Sequence, residues 1–194
     1  MNGEMFKAMV VETVTKPAAA ARRVIDLGYD TGTLWTGLVL VSVLNGIFYG
    51  ILLPGAAAQG LILPDLAASP VMLAIFIGVA LTITVQFLVM TGRVLGGSGD
   101  LRTILTIMVW LQLLRLGLQL AITVISLVIP VLGSLVALVA GFWGLWVLAN
   151  FVAVAHGIDV LKSVGVMVMT FFGIIVVLSV LMAVLGFGVP AGGI

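Results

Sequence analysis

Arg115 is the single charged side chain inside the long apolar stretches of this chain, and an ionisable group held in hydrocarbon is by default a functional hypothesis. Gln112, Arg115, Gln119, Thr123 and Ser126 follow one another at spacings of three and four, so on a helix they share one polar face. A guanidinium flanked by amides can hold an anion or polar solute, or bond across to a neighbouring helix. Asn45, Gln86 and Asn150 are the amides on other apolar stretches that could meet it, and none of those stretches contains Asp or Glu. The charge must therefore be met by amide or backbone oxygens, water, a lipid phosphate, or an acid from a partner subunit. The structural alternative is snorkelling: counting back from Pro130 places Arg115 about 9 Å inside the hydrocarbon, within reach of its long side chain.

Other constellations offer less. His156 and Asp159 sit where two apolar stretches meet, a position that suits polar end-caps better than a ligand or base. With one His and no Cys, thiolate chemistry, disulfides and a histidine-based metal site lack their ligands, and no cofactor is expected. The glycine-rich loop Gly96 to Asp100 superficially resembles a phosphate cradle, but no Lys-Ser/Thr ending follows it, so it reads as a turn. Ser126 and Ser179 have no base in their own stretches, which leaves no Ser-His-Asp arrangement.

The elements that position these residues follow from composition. Of 194 residues, 63% are hydrophobic and 8% charged, too few charges to cover a water-soluble surface. Five stretches reach the roughly 20 helical residues that cross a bilayer: 34–53, 72–90, 109–129, 135–155 and 164–187. Lipid offers no hydrogen-bond partners, so each must be helical. The expected fold is all-α, a polytopic transmembrane bundle of five spans preceded by short amphipathic interfacial helices. Pro54, Gly55, Pro64 and Pro70 mark the first loop, Gly96 to Gly99 the second, Pro130 with Gly133 the third, and Gly157 with Asp159 the fourth. Asp100 and Asp159 are placed to cap the helices that follow them.

Orientation follows from the basic residues. Lys7, Lys16, Arg22, Arg23, Arg93, Arg102 and Lys162 all fall on one side if the spans alternate. The first loop, the third loop and the tail Val189 to Ile194 carry no Lys or Arg. That bias predicts a cytoplasmic N-terminus and a C-terminus on the opposite side, which requires an odd number of spans. Scattered basic residues also argue against nucleic-acid binding. A cysteine-free chain with this bias suits a bacterial plasma membrane.

Residues 1–30 read as a separate cytoplasmic segment ahead of the membrane domain 31–194. The start lacks the pattern of a signal peptide, and Asn2 excludes N-myristoylation, so the segment is expected to remain on the mature protein. Met5, Phe6, Met9, Val10 and Val14 recur at helical spacing, and Pro17 suits the first turn of a second helix bearing Arg22 and Arg23. Phe6, Met9, Arg22 and Arg23 are the expected contacts with the membrane surface, the arginines with anionic phospholipid. Packing of the same segment beneath the bundle is the compatible alternative. Small residues recur every four positions, as Ser42, Gly46 and Gly50, as Ala74 and Gly78, and as Ala140 and Gly144. Such ridges let helices approach closely, within one chain or between two copies.

The stretch TKPAAAARRVIDL, the turn GRVLGGSGDLRTIL and the run IPVLGSLVALVAGFWGLWVLANFVAVAHGIDVLKS resemble the bacterial branch of the Yip (Ypt-interacting protein) family, over roughly Phe6 to Gly186. The glycine turn and the His-Gly junction carry most of the likeness. The resemblance implies five membrane helices and a cytoplasmic N-terminal segment, and it implies no established enzymatic activity. Eukaryotic relatives are associated with small GTPases through a longer N-terminal region, and that partner is not carried over. The functional expectation is a non-enzymatic protein that binds or organises another membrane protein, a second copy of itself, or lipid. A small transporter or channel for an anion or polar solute is the alternative.

Overall fold

A computed structural model describes residues 3–58 and 69–184, with helix as the sole regular element among them. The helices are α1 (Gly3–Thr15), α2 (Pro17–Asp26), α3 (Thr31–Ala58), α4 (Pro70–Val94), α5 (Leu101–Val128), α6 (Pro130–His156) and α7 (Val160–Val184). Five are long and apolar enough to cross a membrane, with spans at Thr31–Leu52, Pro70–Val94, Leu101–Val128, Pro130–His156 and Val160–Leu181. The chain is an all-α polytopic bundle, and its lipid-facing helices make it an integral membrane protein. Pro64 and the tail Val189 to Ile194 lie outside the described residues.

Local chemistry sets most helix ends. Asp30, Asp100 and Asp159 accept the backbone N–H of Thr33, Thr103 and Lys162, at 3.0, 2.8 and 2.9 Å. Thr103, first through its hydroxyl and then its N–H, holds the Asp100 carboxyl below the usual carboxylate value. Pro17, Pro70 and Pro130 stand in the first turn of α2, α4 and α6, where a missing N–H costs nothing. Gly157 ends α6 in the left-handed conformation, with φ of 65°, which glycine adopts without strain.

Two boundaries differ from those read in the sequence, and a third, the start of α5, falls where its Asp100 cap predicts. The backbone of α3 continues through Pro54 and Gly55 to Ala58. Gly133 lies within α6 rather than in a turn, and its missing side chain lets α6 close onto Ser126 of α5. The α5 helix starts at Leu101, and at 28 residues it is about 42 Å long, so its first turns extend beyond a hydrocarbon core of about 30 Å or tilt within it.

Contacts run from α3 to α4, α4 to α7, α7 to α6, α6 to α5 and α5 back to α3, so the five long helices close a ring. Gly46 of α3 faces Ala74 and the Pro70 carbonyl, and Gly50 meets the Pro70 ring, so these two helices touch through backbone. Gly78 is looser, with Ser42 at 3.5 Å from where its Cβ would stand. Between α4 and α7 the Thr91 and Thr170 hydroxyls bond at 2.9 Å. Gly144 does not serve packing as its spacing suggested: a Cβ there would meet nothing within 4 Å. The Ala140–Gly144 ridge borders open space instead.

The N-terminal segment folds onto the ring. Ala20, Ala21 and Val24 of α2 belong to the same buried cluster as Ile104, Leu105, Phe151 and Val152. Met9 of α1 belongs there too and is 1% exposed, so it contacts protein and not a membrane surface. The cause is Trp110 of α5: its indole N–H donates to the Thr13 hydroxyl at 3.1 Å, and Phe6 packs edge-on against its ring. Trp143 of α6 donates to the Val14 carbonyl at 3.1 Å and ties down the other end of α1. Arg23 is exposed and paired with Glu12 at 2.8 Å, while Arg22 stands exposed on the outer face of α2.

Candidate functional site: an intramembrane cleft with one arginine

The ring is not filled uniformly. Between α5 and α6 on one side and α3, α4 and α7 on the other lies a cleft of about 1720 Å³, walled by residues such as Phe48, Leu52, Leu111, Val139, Leu148 and Phe171. Small-molecule sites commonly occupy about 300–1,000 Å³, so this is a large space for so small a chain. Phe6, Val10, Thr13 and Val14 of α1 form part of its border.

Arg115 stands on the α5 wall. Its Nε donates to Gln112 Oε1 at 2.8 Å, and one terminal nitrogen donates to Asn45 Oδ1 at 3.1 Å. Asn45 is fully buried in α3 and is itself oriented by donating its amide N–H to the Val41 carbonyl at 2.7 Å. The guanidinium therefore links Gln112, one turn back on its own helix, to Asn45 of α3, and Arg115 is exposed at the cleft. Gly37 meets Val109 at the level where α3 and α5 touch, and Asn45 and Arg115 lie about 9–12 Å further along both helices.

A guanidinium carries five N–H donors, and two have protein acceptors here. The one carboxylate ion pair among the described residues is Arg23 with Glu12, so no described acid neutralises Arg115. Gln112, Arg115, Gln119 and Thr123 all border the cleft, with Thr123 donating back to the Gln119 carbonyl at 2.9 Å. Gln86 is exposed on α4 away from the cleft. Asn150 donates to the Trp146 carbonyl of its own helix at 2.8 Å and does not border the cleft either. Of the candidate amides, Asn45 and Gln112 are thus brought to Arg115, Gln119 shares its cleft, and Gln86 and Asn150 do not join them.

The opposite end of the ring has a second polar arrangement that spacing alone did not expose. His156 is 1% exposed, and Gly92, Gly97 and Gly99 surround its imidazole so closely that a Cβ on any of them would overlap it. Its Nδ1 accepts the Gly99 N–H at 3.1 Å, and its carbonyl accepts the Ser98 N–H at 2.9 Å. The α4–α5 loop is thereby locked to the end of α6. Nearby, Arg102 donates to the carbonyls of Gly28 and Tyr29, at 2.6 and 2.8 Å, and fixes the α2–α3 junction. Among the described residues no cluster of His, Asp and Glu could hold a metal ion.

Comparison with curated proteins and with solved structures gives no match. The family comparison does: the Yip1 domain model matches residues 11–183, which takes in α2 to α6, the last part of α1 and nearly all of α7. The chain belongs to the Yip1 domain family, as a multi-pass membrane protein of five apolar helices.

Proposed function

We propose that this chain is a non-enzymatic membrane protein, of the bacterial branch of its family, that holds another membrane component in the cleft of its helical ring. The observation that carries this reading is a lone cationic side chain, exposed on the wall of a largely apolar cleft between the helices. A charge in hydrocarbon without an ionic partner is costly, and a bound molecule that supplies the partner removes that cost. An apolar wall with one fixed polar point is the usual make-up of a binding site. It lacks the paired nucleophile and base that chemistry would need.

The test is gentle purification from the native membrane, followed by identification of what accompanies the chain. Retained lipid or protein that is lost in a Gly144→Phe variant, whose added ring projects into open space, is the expected result. Equal retention by both forms would end the proposal.

The topology proposed with it has the N-terminus in the cytoplasm of a bacterial plasma membrane and the C-terminus outside, supported by the basic bias at one end of the ring. Because the chain has no cysteine, single-cysteine variants at Lys162 and Gly192 report sidedness directly. Labelling of position 192 from the cytoplasmic side would reverse the assignment. Transport of an anion or polar solute is the second reading, favoured by the shared position of Gln112, Arg115 and Gln119 on one cleft. Solute flux into proteoliposomes that is unaffected by Arg115→Leu would remove it.

A further inference from the structure

Resting on the cleft-binding reading, we infer that the occupant is an anionic phospholipid, with its phosphate on Arg115 and its acyl chains along the apolar walls of α5 and α6. Three N–H donors of Arg115 point to no protein acceptor among the described residues, and the guanidinium is fixed from two sides by Gln112 and Asn45. A planar fork so held matches the two non-bridging oxygens of a phosphodiester, which accept parallel hydrogen bonds.

Shape and chemistry separate this occupant from its rivals. A spanning helix of a partner is a straight rod about 10 Å across that would have to bring a carboxylate to the depth of Arg115. A small hydrated ion would leave most of the apolar wall in contact with water. Flexible acyl chains fill an irregular apolar space and need no polar partner along its length. Gly117, Gly141 and Gly144 all border the cleft with nothing within 4 Å of where a Cβ would stand, so this part of the wall is smooth and unoccupied by protein.

Native mass spectrometry of the purified chain, equilibrated with equimolar phosphatidylglycerol and phosphatidylcholine, reads the preference directly. We expect wild type to favour the anionic lipid and Arg115→Gln to lower that preference about tenfold, equivalent to about 1.4 kcal/mol. Arg115→Lys, which keeps the charge without the fork, should lose about threefold and serves if the Gln variant does not fold. Gly144→Phe should reduce retention of both lipids. Replacing Arg22 and Arg23 together by Gln should leave the preference intact, since they stand outside the cleft. No preference in wild type, an unchanged preference in Arg115→Gln, or one abolished by the Arg22 and Arg23 change would overturn the assignment. If Gly144→Phe alone lowers lipid retention, the headgroup assignment fails while the cleft-binding reading stands; if neither variant changes it, both fail. A carboxylate-bearing protein retained in place of lipid, and lost in Arg115→Gln, would also overturn it.

Discussion

The two halves of the helical ring differ in what their side chains meet. At the end carrying the α4–α5 loop, Phe151, Ile104 and Leu105 are fully enclosed and three glycines press on His156. Towards the α5–α6 turn, the same two helices border an open cleft, and α6 presents Leu138 and Phe142 outward. The open half carries fewer charged residues than the enclosed one, so hydrophobicity does not explain the contrast. In lipid the attraction between helices comes from close packing and hydrogen bonds: α5 and α6 are enclosed by neighbours in the first half, while in the second half the close contacts are those of α3 with α4, of Gly133 with Ser126 and of Arg115 with Asn45, and they leave the cleft unfilled. The first half is built to hold, and the second leaves room for an occupant.

Substitutions sharpen or break that comparison. The largest effect is expected from Gly92→Ala, whose methyl group would overlap the His156 imidazole. Overpacking of this kind costs about 3 kcal/mol, read as a lower thermal unfolding midpoint in detergent by circular dichroism. Phe151→Ala should follow at about 2 kcal/mol, since the cavity term remains while the transfer term is reduced in a lipid-solvated reference state. Its counterpart Phe142→Ala, at a side chain 70% exposed, should change little by the same measurement. If Phe142→Ala were as damaging as Phe151→Ala, the distinction between the halves would collapse.

Trp110→Phe removes the hydrogen bond to Thr13 but keeps the aromatic packing against Phe6. A loss of about 1 kcal/mol is expected, seen as faster hydrogen exchange confined to α1. Asp100→Asn should cost about 0.5 kcal/mol or less, because Asn still caps α5 but lacks the charge that favours a helix N-terminus. The Asp100 carboxyl is lowered in the folded chain, so its contribution is present above the unfolded value of about 3.9 and lost as pH falls through the folded value. Melting curves of wild type and Asp100→Asn should therefore differ steadily at neutral pH and converge below about pH 4. The smallest effect is Gly144→Ala, expected to gain up to about 1 kcal/mol from helix propensity, because no neighbour opposes the methyl group.

Much of the architecture was legible in residue order. Five long apolar stretches, the proline and glycine breaks and the aspartate caps set the number of spanning helices and most of their starts. The stripe through Arg115 was legible as well, because a helix converts spacing into a shared face. Two things were not. The placement of Met9 depends on Trp110, which lies in a helix far along the chain, and an amphipathic face reads alike whether it meets lipid or protein. The enclosure of His156 depends on Gly99 approaching across 57 positions, a closeness that local turn chemistry does not encode.

The sequence by itself determined that the chain is helical and membrane-embedded, because backbone groups in hydrocarbon must bond within their own segment and uncharged stretches of this length have no other stable solvent. It also determined which side chains share a face of α5. Only the tertiary structure decided that Asn45, and not Gln86 or Asn150, meets Arg115, and that Gly46 and Gly50 pack closely while Gly144 borders a cleft. Those outcomes depend on how helices cross in the ring, and crossing is set by the sum of contacts along two surfaces, a quantity that no single stretch of residues contains.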